Sequence, residues 1–235
     1  MKPAKLSFAL AAVLLAMPFV SFAQDAEADE ESPAFTWELT AVSDYVWRGV
    51  SQSDENPTGQ VGLTYNAPAG FYAGVWASGV DFGGGKPDFE VDYFVGYNVD
   101  FTEQVNFDVM LNRYSYPGAS DLNFNELITT TTFNENYTLG VAYSNDFGGS
   151  DTDAWYVNTG ASFALPKDYS LDLSVGRSLF DKDYSDDYTD YSIGVSKSWG
   201  VVSGSLAYVG VDGKGRDIFG DAADDRVVLT LSVGN

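Results

Sequence analysis

The most constraining feature of this chain is an alternation of apolar and polar residues, in blocks of roughly ten, that recurs from residue 59 to the C-terminal end. In Gln60–Asn66, Val61, Leu63 and Tyr65 fall on one face and Gln60, Gly62, Thr64 and Asn66 on the other. Phe89, Val91, Tyr93, Val95, Tyr97 and Val99 alternate in the same way with Glu90, Asp92, Phe94, Gly96, Asn98 and Asp100. Tyr137, Leu139, Val141 and Tyr143 alternate with Thr138, Gly140, Ala142 and Ser144. Successive side chains of a strand point to opposite faces, so each block is a strand with one apolar and one polar side. The connectors between blocks are alternately short and long. That combination predicts an all-β fold, a single antiparallel transmembrane β-barrel with an apolar band toward lipid and a polar interior. A water-soluble sandwich shares the alternation but needs a closed core and shorter strands.

The pattern places twelve strands, at Phe35–Arg48, Thr58–Ala67, Gly70–Val80, Phe89–Val99, Val105–Tyr114 and Asn125–Phe133, then Tyr137–Asp146, Ala154–Leu165, Tyr169–Phe180, Tyr188–Ser198, Val201–Val211 and Arg226–Gly234. Tight connectors follow the even strands, as at Pro68-Ala69 and Trp199-Gly200. Long ones rich in Gly, Asp, Ser and Asn follow the odd strands, as at Asp81–Asp88 and Asp212–Asp225. All long connectors therefore share one end, expected to be the outer one, and an even strand count lets the barrel close. Aromatic residues collect at both strand ends, where Tyr and Trp favour membrane interfaces. Tyr65, Phe71, Phe101, Phe133, Tyr137, Phe163, Tyr169 and Trp199 flank the short turns. Trp47, Phe82, Tyr116, Phe147, Trp155, Phe180 and Tyr188 flank the long loops. No helix is expected within the barrel.

Residues 1–23 read as a secretory signal peptide. Lys2 and Lys5 precede an apolar run from Leu6 to Val20, and Ser21-Phe22-Ala23 supplies small residues for cleavage between Ala23 and Gln24. The run is short and interrupted by Pro18, which disfavours a retained anchor helix. Residues 24–34 follow as an acidic leader with no periodicity, expected to be disordered, and the barrel occupies residues 35–235.

Composition narrows the chemistry. The chain has no Cys and no His, which removes disulfides, thiolate nucleophiles, imidazole bases and the commonest zinc ligand. No cofactor and no enzymatic activity are expected. With Lys2 and Lys5 in the signal, the remaining 10 of 12 basic residues face 34 acidic ones, so nucleic acid, which is held through Lys and Arg, is an unsuitable partner.

Strand parity supplies candidate pore-lining residues. In the first strand Phe35, Trp37, Leu39, Ala41, Tyr45 and Trp47 take the lipid side, and Glu38, Thr40, Asp44 and Arg48 point inward. Asp44 and Arg48 stand roughly 13 Å apart along a strand, so neighbouring strands must supply their partners. These two form either a charged constriction near the outer mouth or an interior salt-bridge network that holds register. The same parity places Glu90, Asp92, Asp108, Glu126, Asp172 and Arg226 in the lumen, whereas Arg177 and Lys197 fall on the lipid side near strand ends, where long stems reach the headgroups. Asp181-Lys-Asp183-Tyr-Ser185-Asp186-Asp187 resembles the opening of a calcium loop but lacks its Gly and distal Glu. Divalent cations could still bridge such acidic loops, or Asp217, Asp221, Asp224 and Asp225, to lipopolysaccharide phosphates.

Ser43-Asp-Tyr-Val-Trp-Arg-Gly49 running into Val50-Ser-Gln52, the Pro57-Thr-Gly-Gln60 stretch, and Gly70-Phe-Tyr-Ala-Gly-Val-Trp-Ala-Ser78 together resemble a proteobacterial porin-like family first catalogued as of unknown function (Gcw_chp, also called TorF-type). The resemblance spans essentially the whole barrel. It implies a β-barrel in the outer membrane of a Gram-negative bacterium with a channel role, and it names no substrate. One departure is the end, Ser232-Val-Gly-Asn235, which lacks the terminal aromatic residue of many such barrels. The expected function is a narrow passive channel for small cations or polar solutes, embedded in outer-membrane lipid and lipopolysaccharide. The alternative is a structural or adhesive surface barrel with no open pore.

Overall fold

The computed structural model describes residues 34–235, so the signal peptide, its Ala23/Gln24 cleavage point and residues 24–33 of the leader lie outside the described residues. Twelve strands close into one antiparallel barrel. They are β1 Phe35–Val42, β4 Thr58–Asn66, β5 Phe71–Gly79, β6 Phe89–Thr102, β7 Val105–Ser115, β8 Phe124–Phe133, β9 Tyr137–Ser144, β10 Ala154–Leu165, β11 Tyr169–Phe180, β12 Tyr188–Trp199, β13 Val202–Val211 and β14 Arg226–Gly234. Each pairs with its neighbours in sequence order, and β1 pairs with β14 from Glu38↔Gly234 to Val42↔Thr230 to close the ring. The last residue helps seal this seam: Trp37 N donates to Asn235 Oδ1 at 2.9 Å. Closure leaves no sheet edge to hydrogen-bond in hydrocarbon.

The alternation sorts the residues between lipid and lumen. Leu39, Leu63, Val95, Leu127, Ile193 and Leu229 stand exposed on the outer surface at mid-strand. The aromatic residues beside the short turns, from Tyr65 and Phe71 to Tyr169 and Trp199, are exposed as well, forming the girdle expected at one interface. Lys197 lies over the rings of Tyr169 and Trp199, at 4.7 and 5.9 Å from their centroids.

Three expectations are corrected at the long-connector end. First, the opening strand stops at Val42 instead of running to Arg48. Ser43 ends it by donating N–H to Leu229 O and accepting from Leu229 N through Oγ, both at 2.9 Å. The chain then enters the barrel as a miniature hairpin, β2 Val46–Trp47 and β3 Val50–Ser51. Tyr45 and Trp47 accordingly face the interior and not lipid; Tyr45 is buried at 6% exposure. Second, most of the aromatic residues beside the long loops do not form an outer girdle. Phe82 and Trp155 are exposed, but Tyr116 and Tyr188 are buried and Trp47, Phe147 and Phe180 are half-buried. Trp47 stacks on Phe147 at 5.9 Å, and Tyr114 on Phe124 at 4.3 Å. These rings gain more from packing on the insert than from headgroup contact.

Third, a short helix is present. The β13–β14 connector forms α1, Gly213–Phe219, with Asp212 as its cap, accepting from Gly215 N at 2.9 Å. A 3-10 turn, Gly220–Ala223, follows. Ala223 is fully enclosed with Val50, Tyr188 and Val211, so this connector folds over the insert. Arg216 of α1 reaches Asp225 at 2.8 Å. The Tyr208 hydroxyl and this guanidinium hold the Asp225 carboxyl below its usual range.

Candidate functional site: a loop across the lumen

Burial along the strands shows where the lumen is narrow. In β1 the inward Thr36 and Glu38 are half-buried, while Thr40 and Val42, nearer the long connectors, are buried. In β6 the order reverses with the strand direction: Glu90 and Asp92 are buried, and Asn98 is exposed. The barrel is thus open toward its short turns and closed toward its long connectors. The closing element is the β1–β4 connector, residues 43–57.

The turn of this insert explains how it crosses. Arg48 and Gly49 both have positive φ, 49° and 80°, as a tight two-residue hairpin of the I′ kind requires. Gly49 is also needed for space, since a Cβ there would lie 2.4 Å from Val211 Cγ1 and 2.9 Å from Asp190 Cβ. The hairpin tip therefore rests directly on the β12–β13 wall. Tyr188 OH adds a hydrogen bond to Arg48 O at 3.1 Å.

Two buried ion pairs fasten the insert to opposite arcs. Arg48 Nη2 donates to both carboxylate oxygens of Glu126 on β8, at 2.8 and 2.9 Å, and its guanidinium lies 4.2 Å from the ring centres of Trp47 and Tyr156. At the near side, Asp44 accepts from Arg226 Nη1 at 2.6 Å, from Ser51 Oγ at 2.6 Å and from Ser53 Oγ at 2.9 Å. Tyr45 packs edge-on against Trp76 at 5.5 Å and donates its hydroxyl to Glu90 at 3.0 Å.

The nine candidate residues thus divide into two groups. Asp44, Arg48, Glu90, Asp92, Glu126 and Arg226 meet at the closed mouth. Glu38, Asp108 and Asp172 lie in the wider half, half-buried. Glu38 accepts from Thr40 Oγ1 at 3.0 Å, and Asp108 from Tyr72 OH at 2.8 Å. Asp172 accepts from Ser162 and Ser196, each at 2.6 Å. Tyr45 was assigned to the lipid side, and several other residues of the mouth were not singled out as lining from sequence: Trp76, Asn112, Tyr114, Tyr156 and Asp190. Asn112 and Tyr114 share the parity of Asp108, and Asp190 alternates with the outward Tyr191 and Ile193, so parity alone could have placed these three. Of the loop acids, Asp181 accepts from Asp183 N and Asp187 from Phe180 N.

A closed twelve-stranded barrel with an apolar outer band and a polar lumen is an integral β-barrel of the Gram-negative outer membrane. The chain belongs to the Gcw_chp family, described as a bacterial protein of unknown function, whose model matches residues 26–233. No curated protein sequence matches it. Among solved structures it is similar to a KdgM porin, with a TM-score of 0.56 at 8% identity over 84% of this chain and 98% of that one. It is also similar to a NanC porin, with a TM-score of 0.53 at 10% identity over 86% and 98% of the two chains. The COG4313 outer-membrane channel from Pseudomonas putida F1 gives 0.50 at 10% identity over 89% and 98%. At these identities the likeness concerns the fold.

Proposed function

We infer that this barrel is a narrow passive channel of the outer membrane, without catalytic activity, that prefers small cations and small polar solutes. The observation that carries the reading is the charge of the lumen. Glu38, Asp44, Glu90, Asp92, Asp108, Glu126, Asp172 and Asp190 all lie on its inner side. The bases there, Arg48 and Arg226, are each committed to a carboxylate. The surplus is negative along the whole path, and low-dielectric walls focus such a potential. The similarity to porin and channel barrels agrees with a role in passage. Twelve strands enclose a space between that of filled eight-stranded barrels and open channels of about 16 strands, and the insert narrows it further.

Purified protein in a planar bilayer under a salt gradient should give a reversal potential of cation-selective sign, strongest at low ionic strength, where screening is weak. The double variant Glu90→Gln/Asp92→Asn should lower the cation over anion ratio, whereas Asp224→Asn in the outer connector should change it less. An anion-selective reversal potential in the unmodified protein would refute the preference. A second reading, a surface barrel with no open pore, is favoured by the near-complete burial of the mouth. It predicts no conductance steps in the same recording.

A further inference from the structure

The closed mouth contains oxygen atoms whose placement is not accounted for by passage alone. Asp92 and Asn112 have no exposed surface, and Asn112 Nδ2 donates to Asp92 Oδ2 at 3.0 Å. The other carboxylate oxygen of Asp92, Oδ1, and the amide oxygen of Asn112, Oδ1, are enclosed and have no hydrogen-bond partner among the described residues. Glu90, two positions away on the same face of β6, is 2% exposed and accepts from two neutral donors, the hydroxyls of Tyr45 and Tyr116. Asp92 also lies within electrostatic reach of Glu90 and Glu126. The guanidinium that the insert brings here, that of Arg48, is held by both oxygens of Glu126. Among the described residues no cation pairs with these two enclosed carboxylates, an arrangement that is unfavourable unless something positive joins them.

We propose that Glu90, Asp92 and Asn112 form a binding site for a partly hydrated divalent metal cation of the calcium type. The donors are hard oxygens only, two carboxylates and an amide carbonyl, and their two charges match a divalent ion. Among the described residues no group of three or more carboxylates is arranged to hold a metal by itself, so water must complete the shell. Calcium accepts such irregular mixed shells of about six to eight oxygens, whereas magnesium demands near-octahedral order. Tyr45 borders the site, because its ring packs edge-on against Trp76 and its hydroxyl bonds Glu90. An ion there would sit within the β6–β7 wall, beside the hydrogen bond from Tyr45 of the insert to Glu90. The site does not depend on conduction, since a sealed barrel with these residues would bind the same ion.

The test uses terbium(III) as a luminescent calcium substitute on the folded full barrel in detergent, after chelator treatment. Trp76 is the cross-strand partner of Asp92, so excitation of tryptophan should sensitise bound terbium. Saturable emission displaced by calcium, and far less by magnesium or potassium, is expected. Losing a direct ligand should matter more than losing its hydrogen-bonding support, itself worth about tenfold in affinity. Asp92→Asn and Asn112→Leu should therefore each weaken binding at least that much, while Asp181→Asn/Asp183→Asn in the outer loop should not. Trp76→Phe should reduce the emission yet leave calcium binding measured by calorimetry intact. Heat-dependent gel mobility reports that each variant is folded. Absence of saturable emission from a folded barrel would overturn the proposal and leave water as the partner of the two oxygens. Emission lost in the outer-loop variant but kept in Asp92→Asn would overturn it in favour of adventitious binding at loop carboxylates.

Discussion

Arg48 lies 4% exposed between the rings of Trp47 and Tyr156, with both oxygens of Glu126 on one guanidinium nitrogen. It occupies a left-handed backbone conformation, φ 49°, which disfavours an L side chain by about 1–2 kcal/mol. The geometry persists because the side chain is held on three sides. Removing one partner of a buried ion pair leaves the other charge stranded, at roughly 3–5 kcal/mol, whereas replacing both by apolar residues is often near neutral. Arg48→Met and Glu126→Leu should each destabilise the barrel by about that amount in urea unfolding from detergent micelles, and the double variant by much less than the sum. Additive losses would show that the pair is not coupled. Tyr114, whose hydroxyl also reaches Glu126 at 3.0 Å, belongs to the same network.

The β1–β4 connector is the element on which the reading of this fold turns, and Gly49 is the residue that lets it pass. Gly49→Ala would place a methyl group against Val211 and Asp190 in a positive-φ conformation. The expected outcome is a barrel of unchanged heat-dependent mobility whose insert is displaced, seen as protease cleavage between residues 43 and 57 at rates well above those of the unmodified protein. Unchanged resistance would mean that the tip does not rest on this wall. Here the limits of the sequence are physical. Alternation located all twelve barrel strands because one lipid-facing and one water-facing side impose a period of two. From Phe35 to Trp47 every second residue is apolar apart from Ser43, and Tyr45 and Trp47 are as suitable for an aromatic girdle as for an interior. What ends the strand is long-range: Leu229 bonding Ser43, and Arg226 drawing Asp44 inward from a position 182 residues away. The Arg48-Gly49 pair was the local sign of a turn. The helix α1 is similar, a capped helix of about two turns stabilised by folding over Val211 and Tyr188, with no periodicity long enough to announce it.

At the scale of the whole molecule, the parts make a cup. A lipid-facing apolar wall surrounds a lumen open at the short turns and crossed at the other end by a polypeptide segment fixed through ion pairs, rings and a glycine contact. The parity that identified Glu38, Asp108 and Asp172 also describes the wide half, because among the described residues their hydrogen-bond partners come from the barrel strands themselves. The grouping of Asp44, Arg48, Glu90, Asp92, Glu126 and Arg226 could not be read the same way, since it arises from a loop entering the space that parity leaves empty. If this loop sets the width of a cation-preferring path, its removal must widen that path without dismantling the wall. The most direct measurement is single-channel conductance of the unmodified barrel beside a variant in which residues 44–56 are replaced by a short Gly-Ser link, both verified as heat-modifiable. The account predicts small cation-selective steps in the first and steps several-fold larger in the second. Equal conductance in the two proteins would contradict it.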